Sequence, residues 1–390
     1  MSDHAFSRRQ VLGLIGCSSA AWPLTSRVTL ASGQSDARLL VIILRGAMDG
    51  LDVIRPVGDP AFAALRPEAT DGPRLDGRFA LHPALADLMP LWNRKEFAAV
   101  HAVSTPYRDK RSHFDGQDML EAGTGADIGP GGIRDGWMNR ILQIRPDVSS
   151  ETAFAIGREQ MKILSGGAPV AEWAPETRLE LSDATASLLR SIYATDPLFQ
   201  SAADEAMMLA AKLDPSDLDG VRQSGRPDRP IAVFAADRLR EDTRLAAFSI
   251  SGWDTHQNQA RSMDRMLGRL ADTILVLKDR LGPVWQQTTI LAMTEFGRTA
   301  RMNGSRGTDH GTAGAMLLAG GAVNGGKVFG DWPGLDESDL YDRRDLMPTR
   351  DVRAYAAWAL RHTQGLGRSE LAGQVFPGLD LGDDPGIISA

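Results

Sequence analysis

Three glycine-bracketed segments carry the side chains best suited to chemistry in this chain. They are Gly252-Trp253-Asp254-Thr255-His256, Thr294-Glu295-Phe296-Gly297-Arg298 and Gly307-Thr308-Asp309-His310-Gly311. Together they hold three acids and two of the seven histidines. Asp254 and His256 at i and i+2, Glu295 at a strand end and Asp309-His310 in the next loop supply oxygen and imidazole donors. Such donors hold a divalent metal: zinc, manganese or calcium. A lone Asp-x-His reads more simply as a loop, with Asp254 capping the helix that follows. The clustering is what points to a metal or catalytic site.

Other polar residues have two readings each. Arg298 either pairs with Glu295 or grips a phosphate or sulfate through two parallel N–H donors. Asp309 either binds metal or orients the ring of His310 from behind. His113, beside Ser112 and Arg111, is a further candidate for the pocket. Ser112-His113-Phe114-Asp115 also fits a capping box, with the serine oxygen on the N–H of Asp115 and that carboxylate reaching back. His101, inside an apolar strand, reads as a core histidine with its hydrogen bonds satisfied.

Donors this far apart in sequence need a scaffold that gathers them, and an open α/β sheet binds ligands beyond the carboxyl ends of its strands. Arg38 to Leu44 is a continuous apolar run suited to a strand buried on both faces. It ends in Arg45-Gly46-Ala47-Met48-Asp49-Gly50, a glycine-rich loop holding an acid. Further strands are expected at Phe97 to Val103, Leu245 to Ser251, Thr288 to Thr294 and Gly314 to Leu318. Helices are expected at Ala84 to Trp92, from Arg111 through Glu121 with a stop at Gly123, at Ile231 to Arg240, and at Thr349 to His362. Another runs from Asn258 to Leu281, where Met263, Met266, Leu267, Leu270, Ile274 and Leu277 recur at helical spacing. The alternation predicts a doubly wound, mostly parallel α/β sheet with helices on both faces. Residues 125–225, with helical pattern at Ala184 to Ala194 and Ser201 to Leu213, read as an insertion or cap over the sheet.

The N-terminus bears on where the protein works. Ser7-Arg8-Arg9-Gln10-Val11-Leu12 is a twin-arginine pattern, followed by a weakly apolar stretch to Leu24 and small residues suited to cleavage after Ala31 or Gly33. Gly, Ser and Pro interrupt the stretch, so it makes no stable membrane span. Leu14-Ile15-Gly16-Cys17 resembles a lipoprotein box, but the apolar stretch before it is short for that purpose. Removal of residues 1–33 takes away the single cysteine, leaving no disulfide. The twin-arginine export machinery, the expected partner, carries folded proteins, which suits a metal loaded before export. The remaining chain, 36–390, is expected to form a single domain. A net charge of −7 argues against nucleic acid and against a basic membrane-surface protein.

With Arg111-Ser112-His113-Phe114-Asp115 and Gly325-Gly326-Lys327-Val328-Phe329-Gly330-Asp331-Trp332-Pro333-Gly334-Leu335, the three segments resemble hallmarks of the bacterial family catalogued as domain of unknown function 1501. That family typically carries twin-arginine signals and is more distantly similar to the alkaline phosphatase and sulfatase superfamily. The resemblance implies a sulfatase-like fold and metal-dependent hydrolysis of a small anionic ester of phosphate or sulfate. Superfamily enzymes clamp the attacking and leaving oxygens between two metals. Their acid after the first strand falls on Asp49, their nucleophile at a helix N-terminus on Ser112, and their Asp and His on one metal on Asp254 and His256. Their next Asp-His pair falls on Glu295-Phe296 and their final His on His310. Two departures stand out: Phe296 cannot ligate a metal, and Asp49 lies several residues past its strand. A one-metal enzyme, or a member that kept binding and lost chemistry, fits the pattern equally well.

Overall fold

Arg38–Arg45 forms β1, and the side chains of this strand divide between two cores. Leu40, Ile42 and Leu44 pack into one apolar cluster, and Leu39, Val41 and Ile43 into the other. Between its terminal arginines the strand is covered on both faces, hence the unbroken apolar run Leu39 to Leu44. The structure is a computed structural model that describes residues 36–69, 71–108, 110–125, 133–145, 152–157, 161–173 and 228–389. The chain divides into residues 1–36 and 37–390, and all the described residues but Asp36 belong to the second unit. The twin-arginine segment and the patterns at Ala184–Ala194 and Ser201–Leu213 lie outside the described residues.

Ile54–Arg55 (β2) and Ala80–Leu81 (β3) pair with each other in a small sheet. Phe97–Ser104 (β4), Ala153–Ile156 (β5), Ala171–Trp173 (β6) and Leu245–Ser251 (β7) join the main sheet. So do Thr288–Met293 (β8), Gly314–Ala319 (β9), Val328–Phe329 (β10) and Arg350–Asp351 (β11). The order is β10-β4-β9-β8-β1-β7-β5-β6, with β11 also on β4. Within the main sheet every pairing is parallel except those of β9, which runs antiparallel to β4 and β8. The helices used below are α1 (His113–Ala122), α2 (Trp137–Gln143), α3 (Arg229–Arg240), α4 (Gln259–Leu281) and α5 (Val352–Gln364). Residues of α3 and α4 pack with the Leu40 cluster, and residues of α1, α2 and α5 with the Leu39 cluster. The fold is a doubly wound, mostly parallel α/β sheet with helices on both faces.

Three local expectations need correction. The helix expected from Ala84 to Trp92 is two pieces, a 3-10 turn Pro83–Leu88 and a helical turn Met89–Asn93. Pro90, lacking an N–H, falls in the first turn of the second piece, where no donor is missed. The segment 125–225 is more than a cap, because β5 and β6 extend the main sheet beside β7. Runs of four and three residues are too short to show a period. The closing helix starts at Val352, where Asp351 accepts the N–H of Arg353, because Arg350 and Asp351 first pair with β4.

His101 is a core histidine, as its apolar setting predicts. Its Nε2–H donates to the carbonyl of Ile54 at 2.9 Å, and its Nδ1 accepts the N–H of Ala102 at 2.8 Å. Ala102 has φ 54° at a bulge in β4, so the imidazole satisfies a donor that the ladder has lost. Among the described residues no helix is long and apolar enough to cross a membrane.

Candidate metal centre

Strand direction gathers the site. β1, β4, β7 and β8 end at one edge of the sheet, followed by the loops at Gly46, Thr105, Gly252 and Thr294. Because β9 is antiparallel, it begins at that edge, and Gly307–Gly311, just before it, arrives there too. Close approach demands glycine at two positions. Gly46 has φ 118°, and a Cβ there would lie 2.6 Å from the backbone nitrogen of Asp254. A Cβ on Gly307 would lie 2.2 Å from the carbonyl carbon of His256.

Three imidazoles converge on the Asp254 carboxylate. Its Oδ1 lies 3.1 Å from His256 Nε2 and 3.3 Å from His310 Nε2, and its Oδ2 lies 3.4 Å from His113 Nε2. His256 Nε2 and His310 Nε2 are 3.0 Å apart. Donor atoms of His113, Asp254 and His310 all lie within 4.8 Å of one another, making a group that could hold a metal ion. Donors about 2.0 Å from a tetrahedral ion stand about 3.3 Å apart, which matches these separations. The Asp254 side chain is 43% exposed, so the centre opens to solvent.

The far nitrogen of each ring decides what the near one offers. His113 Nδ1 is 2.8 Å from Glu295 Oε1, His256 Nδ1 is 3.2 Å from Asp309 Oδ1, and His310 Nδ1 is 2.9 Å from the carbonyl of Arg111. Ionised carboxylates and carbonyls only accept, so each Nδ1 carries a proton, and a ring in its neutral form turns an Nε2 lone pair inward. With the rings neutral, three lone pairs and a carboxylate would face one another, a donor set that a divalent cation fits. His113 Nε2 is buried and makes no hydrogen bond. The hydrogen bond that it donates to Glu295 holds the His113 ring above the usual histidine range. Burial, with the charges of His113 and Arg298, holds His310 below it.

The carboxylates stay ionised for separate reasons. Burial pushes the Asp254 carboxyl up, but the hydrogen bond and charge of Arg298, with His256 and His113, outweigh it. Burial likewise opposes ionisation of Glu295, and donors from His113, Gln117 and Gly46 outweigh it. Asp309 is lowered first by its hydrogen bond from Asn303.

Several candidate residues serve the centre without facing it. Glu295 is fully buried, and its Oε1 accepts from Gly46 N–H, His113 and Gln117 Nε2, leaving it an orienting carboxylate for His113 and not a ligand. Asp49 is likewise engaged away from the three rings. Arg66 takes both its oxygens at 2.5 and 3.1 Å, and Gln259 Nε2 and the Leu51 N–H complete its partners. An acid this deep beside an arginine remains with it. Asp309 orients His256, not its neighbour His310. Arg298 pairs with Asp254 at 2.7 Å, not with Glu295. Its Nε and Nη2 donate to the hydroxyl and carbonyl of Thr308, so each of its three nitrogens has a partner within the protein.

Ser112 caps α1, accepting the N–H of Asp115 at 3.4 Å. The other half of the capping box is replaced: the N–H of Ser112 donates to the Tyr107 hydroxyl at 2.6 Å. Phe296 forms an apolar wall beside the rings. Its ring stacks on Tyr107 and His113 at 5.8 and 5.2 Å and lies 5.3 Å from His310.

Two amides went unnoticed in the sequence. Gln117 donates to Glu295 and accepts from Arg45 Nη1 at 2.8 Å. Its spacing of four from His113 on α1 was the available signal. Gln259 ties three loops together, donating to Asp49 and accepting from Thr255 and Thr308. No local pattern announces it.

No curated protein matches the sequence. Among solved structures, the fold is similar to the C-terminal periplasmic domain of EcEptC from Escherichia coli, at 10% identity over 74% of each chain with a TM-score of 0.38. It is also similar to a protein in the alkaline phosphatase superfamily from Vibrio parahaemolyticus, at 12% identity over 74% of this chain and 62% of that one, TM-score 0.36. The lipoteichoic acid synthase LtaP from Listeria monocytogenes resembles it at 9% identity over 70% and 62%, TM-score 0.32. Residues 111–355 include His113, Asp254, His256 and His310 and match the family described as "Protein of unknown function (DUF1501)", and the chain belongs to that family.

Proposed function

We propose that this protein is an exported, metal-dependent hydrolase of phosphate or sulfate esters, a single sulfatase-like domain over residues 36–390 behind a twin-arginine signal over 1–33. The observation that carries the metal is the convergence of three imidazole Nε2 atoms on the Asp254 carboxylate, each ring held by an acceptor at Nδ1. His113, His256, His310 and Asp254 would hold the ion. Three imidazoles and one carboxylate suit zinc better than manganese, and suit calcium least, since calcium takes six to eight oxygens. With Phe296 against His113, the reading is a one-metal centre. The motif resemblance to the alkaline phosphatase and sulfatase superfamily supports the choice of reaction.

A divalent ion there would act as a Lewis acid on an ester oxygen. The chain's own residues prepare the ground for it. Glu295, Asp309 and the Arg111 carbonyl keep the Nδ1 protons in place, and Arg298 keeps Asp254 ionised. Ser112, at the N-terminus of α1 where N–H groups favour an anion, is the nucleophile or the anchor of the ester. Its cap bond of 3.4 Å is long enough to leave the hydroxyl available.

A binding protein without chemistry is the competing reading, favoured by the capping geometry of Ser112 and by the commitment of Arg298 to Asp254. Metal analysis of protein from the exported fraction, with turnover of aryl phosphates and aryl sulfates before and after chelation, separates the two. About one zinc per chain and turnover lost with the metal support the hydrolase. Bound metal with no turnover leaves the binding protein, and protein that takes up no divalent ion overturns both the metal and the hydrolase.

A further inference from the structure

The segment Arg111–Phe114 is fixed by the metal centre along its backbone and turned to solvent with two of its side chains. Arg111 has φ 53°, a left-handed conformation that residues other than glycine hold only when their surroundings impose it. Two bonds impose it here. The Arg111 carbonyl accepts from His310 Nδ1 at 2.9 Å, and the next N–H, of Ser112, donates to Tyr107 at 2.6 Å. His113 then turns inward to Glu295 and Asp254.

The outward side chains have no structural employment. Arg111 is exposed, and its guanidinium makes no hydrogen bond or ion pair among the described residues. Its charge reaches the Asp345 carboxyl, which already has Arg344 and Thr312 as partners. By contrast Arg298, Arg45 and Arg66 are all ion-paired. Phe114 is 86% exposed, and among the described residues no other large hydrophobic side chain is so exposed. A rigid segment that carries one ligand and pins another thus displays a guanidinium and a phenyl ring on either side of Ser112-His113.

We infer that Arg111 and Phe114 form a substrate subsite for an anionic monoester with a planar, apolar leaving group. The guanidinium pairs with oxygens of the phosphate or sulfate, supplying a clamp while Arg298 is held by Asp254 and Thr308. The phenyl ring covers the leaving group, and the contact removes both apolar surfaces from water. The inference rests on the proposed metal centre as the place where the ester's anionic end sits.

Calorimetric binding to the zinc-loaded full chain tests the subsite without requiring turnover. Phenyl phosphate and methyl phosphate share a headgroup and differ in the leaving group. The wild type is expected to bind phenyl phosphate about three- to tenfold more tightly. Phe114→Ala removes that preference, and Phe114→Tyr retains it. Arg111→Asn, which tolerates the left-handed backbone and keeps the carbonyl for His310, weakens both esters about tenfold at unchanged zinc content. Equal wild-type affinities, an unchanged preference in Phe114→Ala, or undiminished binding in Arg111→Asn overturns the subsite and leaves the hydrolase reading standing. Zinc-loaded protein that binds neither ester overturns both.

Discussion

Asp254 is where the charges of the site are balanced, with Arg298 behind it and three imidazoles in front. Removing one imidazole should therefore cost affinity for the ion more than it costs the fold. His310→Ala is expected to lower metal occupancy and melting temperature together. Binding to the native state alone contributes about 2.7 kcal/mol when the ion stands at 100 times its Kd, and that stabilisation fades as Kd rises. An unaltered melting curve on adding zinc to the wild type would exclude the site. Ser112 is separable into cap and nucleophile. Ser112→Ala should cost about 0.5–2 kcal/mol of stability, whereas asparagine caps about as well as serine. Under the proposed chemistry Ser112→Asn folds normally and loses turnover by orders of magnitude. Wild-type turnover of an aryl phosphate or sulfate by that variant would remove the covalent role.

Elements act on the site through their register. On α1, His113 and Gln117 share a face and both donate to Glu295 Oε1. Because Arg45 can only donate, the amide oxygen of Gln117 must face it and the amide nitrogen must face Glu295. Gln117→Leu should weaken metal binding by about 10–100-fold with helix content unchanged. A merely structural glutamine would lower the melting temperature and leave metal affinity alone. On β4, burial pushes His101 down to about 4 from an ordinary 6.5. The unfolded chain therefore takes up this proton at higher pH than the native one. The contribution is intact above pH 6.5 and is lost as pH falls from 6.5 toward 4, amounting to about 3 kcal/mol. Urea unfolding across that range should show a steeper acid limb in the wild type than in His101→Asn. Protonation of the His101 ring near pH 6.5 by NMR would refute the assignment even if the variant folds poorly.

At the scale of the whole molecule, the proposed site and the proposed route of export are independent claims. Arg8→Lys with Arg9→Lys is expected to hold the protein in the cytoplasm with residues 1–33 attached. Cell fractionation would decide it, and unchanged export of the double variant would end the twin-arginine assignment while leaving the metal centre untouched. In the fold, β9 reverses direction, and by doing so it delivers His310 to the edge that Asp254 reaches from the end of β7.

The largely apolar runs at Arg38–Arg45, Leu245–Ser251 and Thr288–Met293 were legible as strands because burial on both faces leaves its mark on most of their residues. Asp254, His256 and His310 were legible as a cluster because donors flanked by glycine follow those strands or lead into the next. Partner choice was not legible. Asp49 meets Arg66 and Gln259, the latter 210 residues away, and Arg298 turns from its neighbour Glu295 to Asp254, 44 residues back. A local pattern records what each side chain needs around it, such as burial, a counter-charge or a cap. Which group meets that need is settled only when sheet order and glycine clearances bring separate loops within hydrogen-bonding distance.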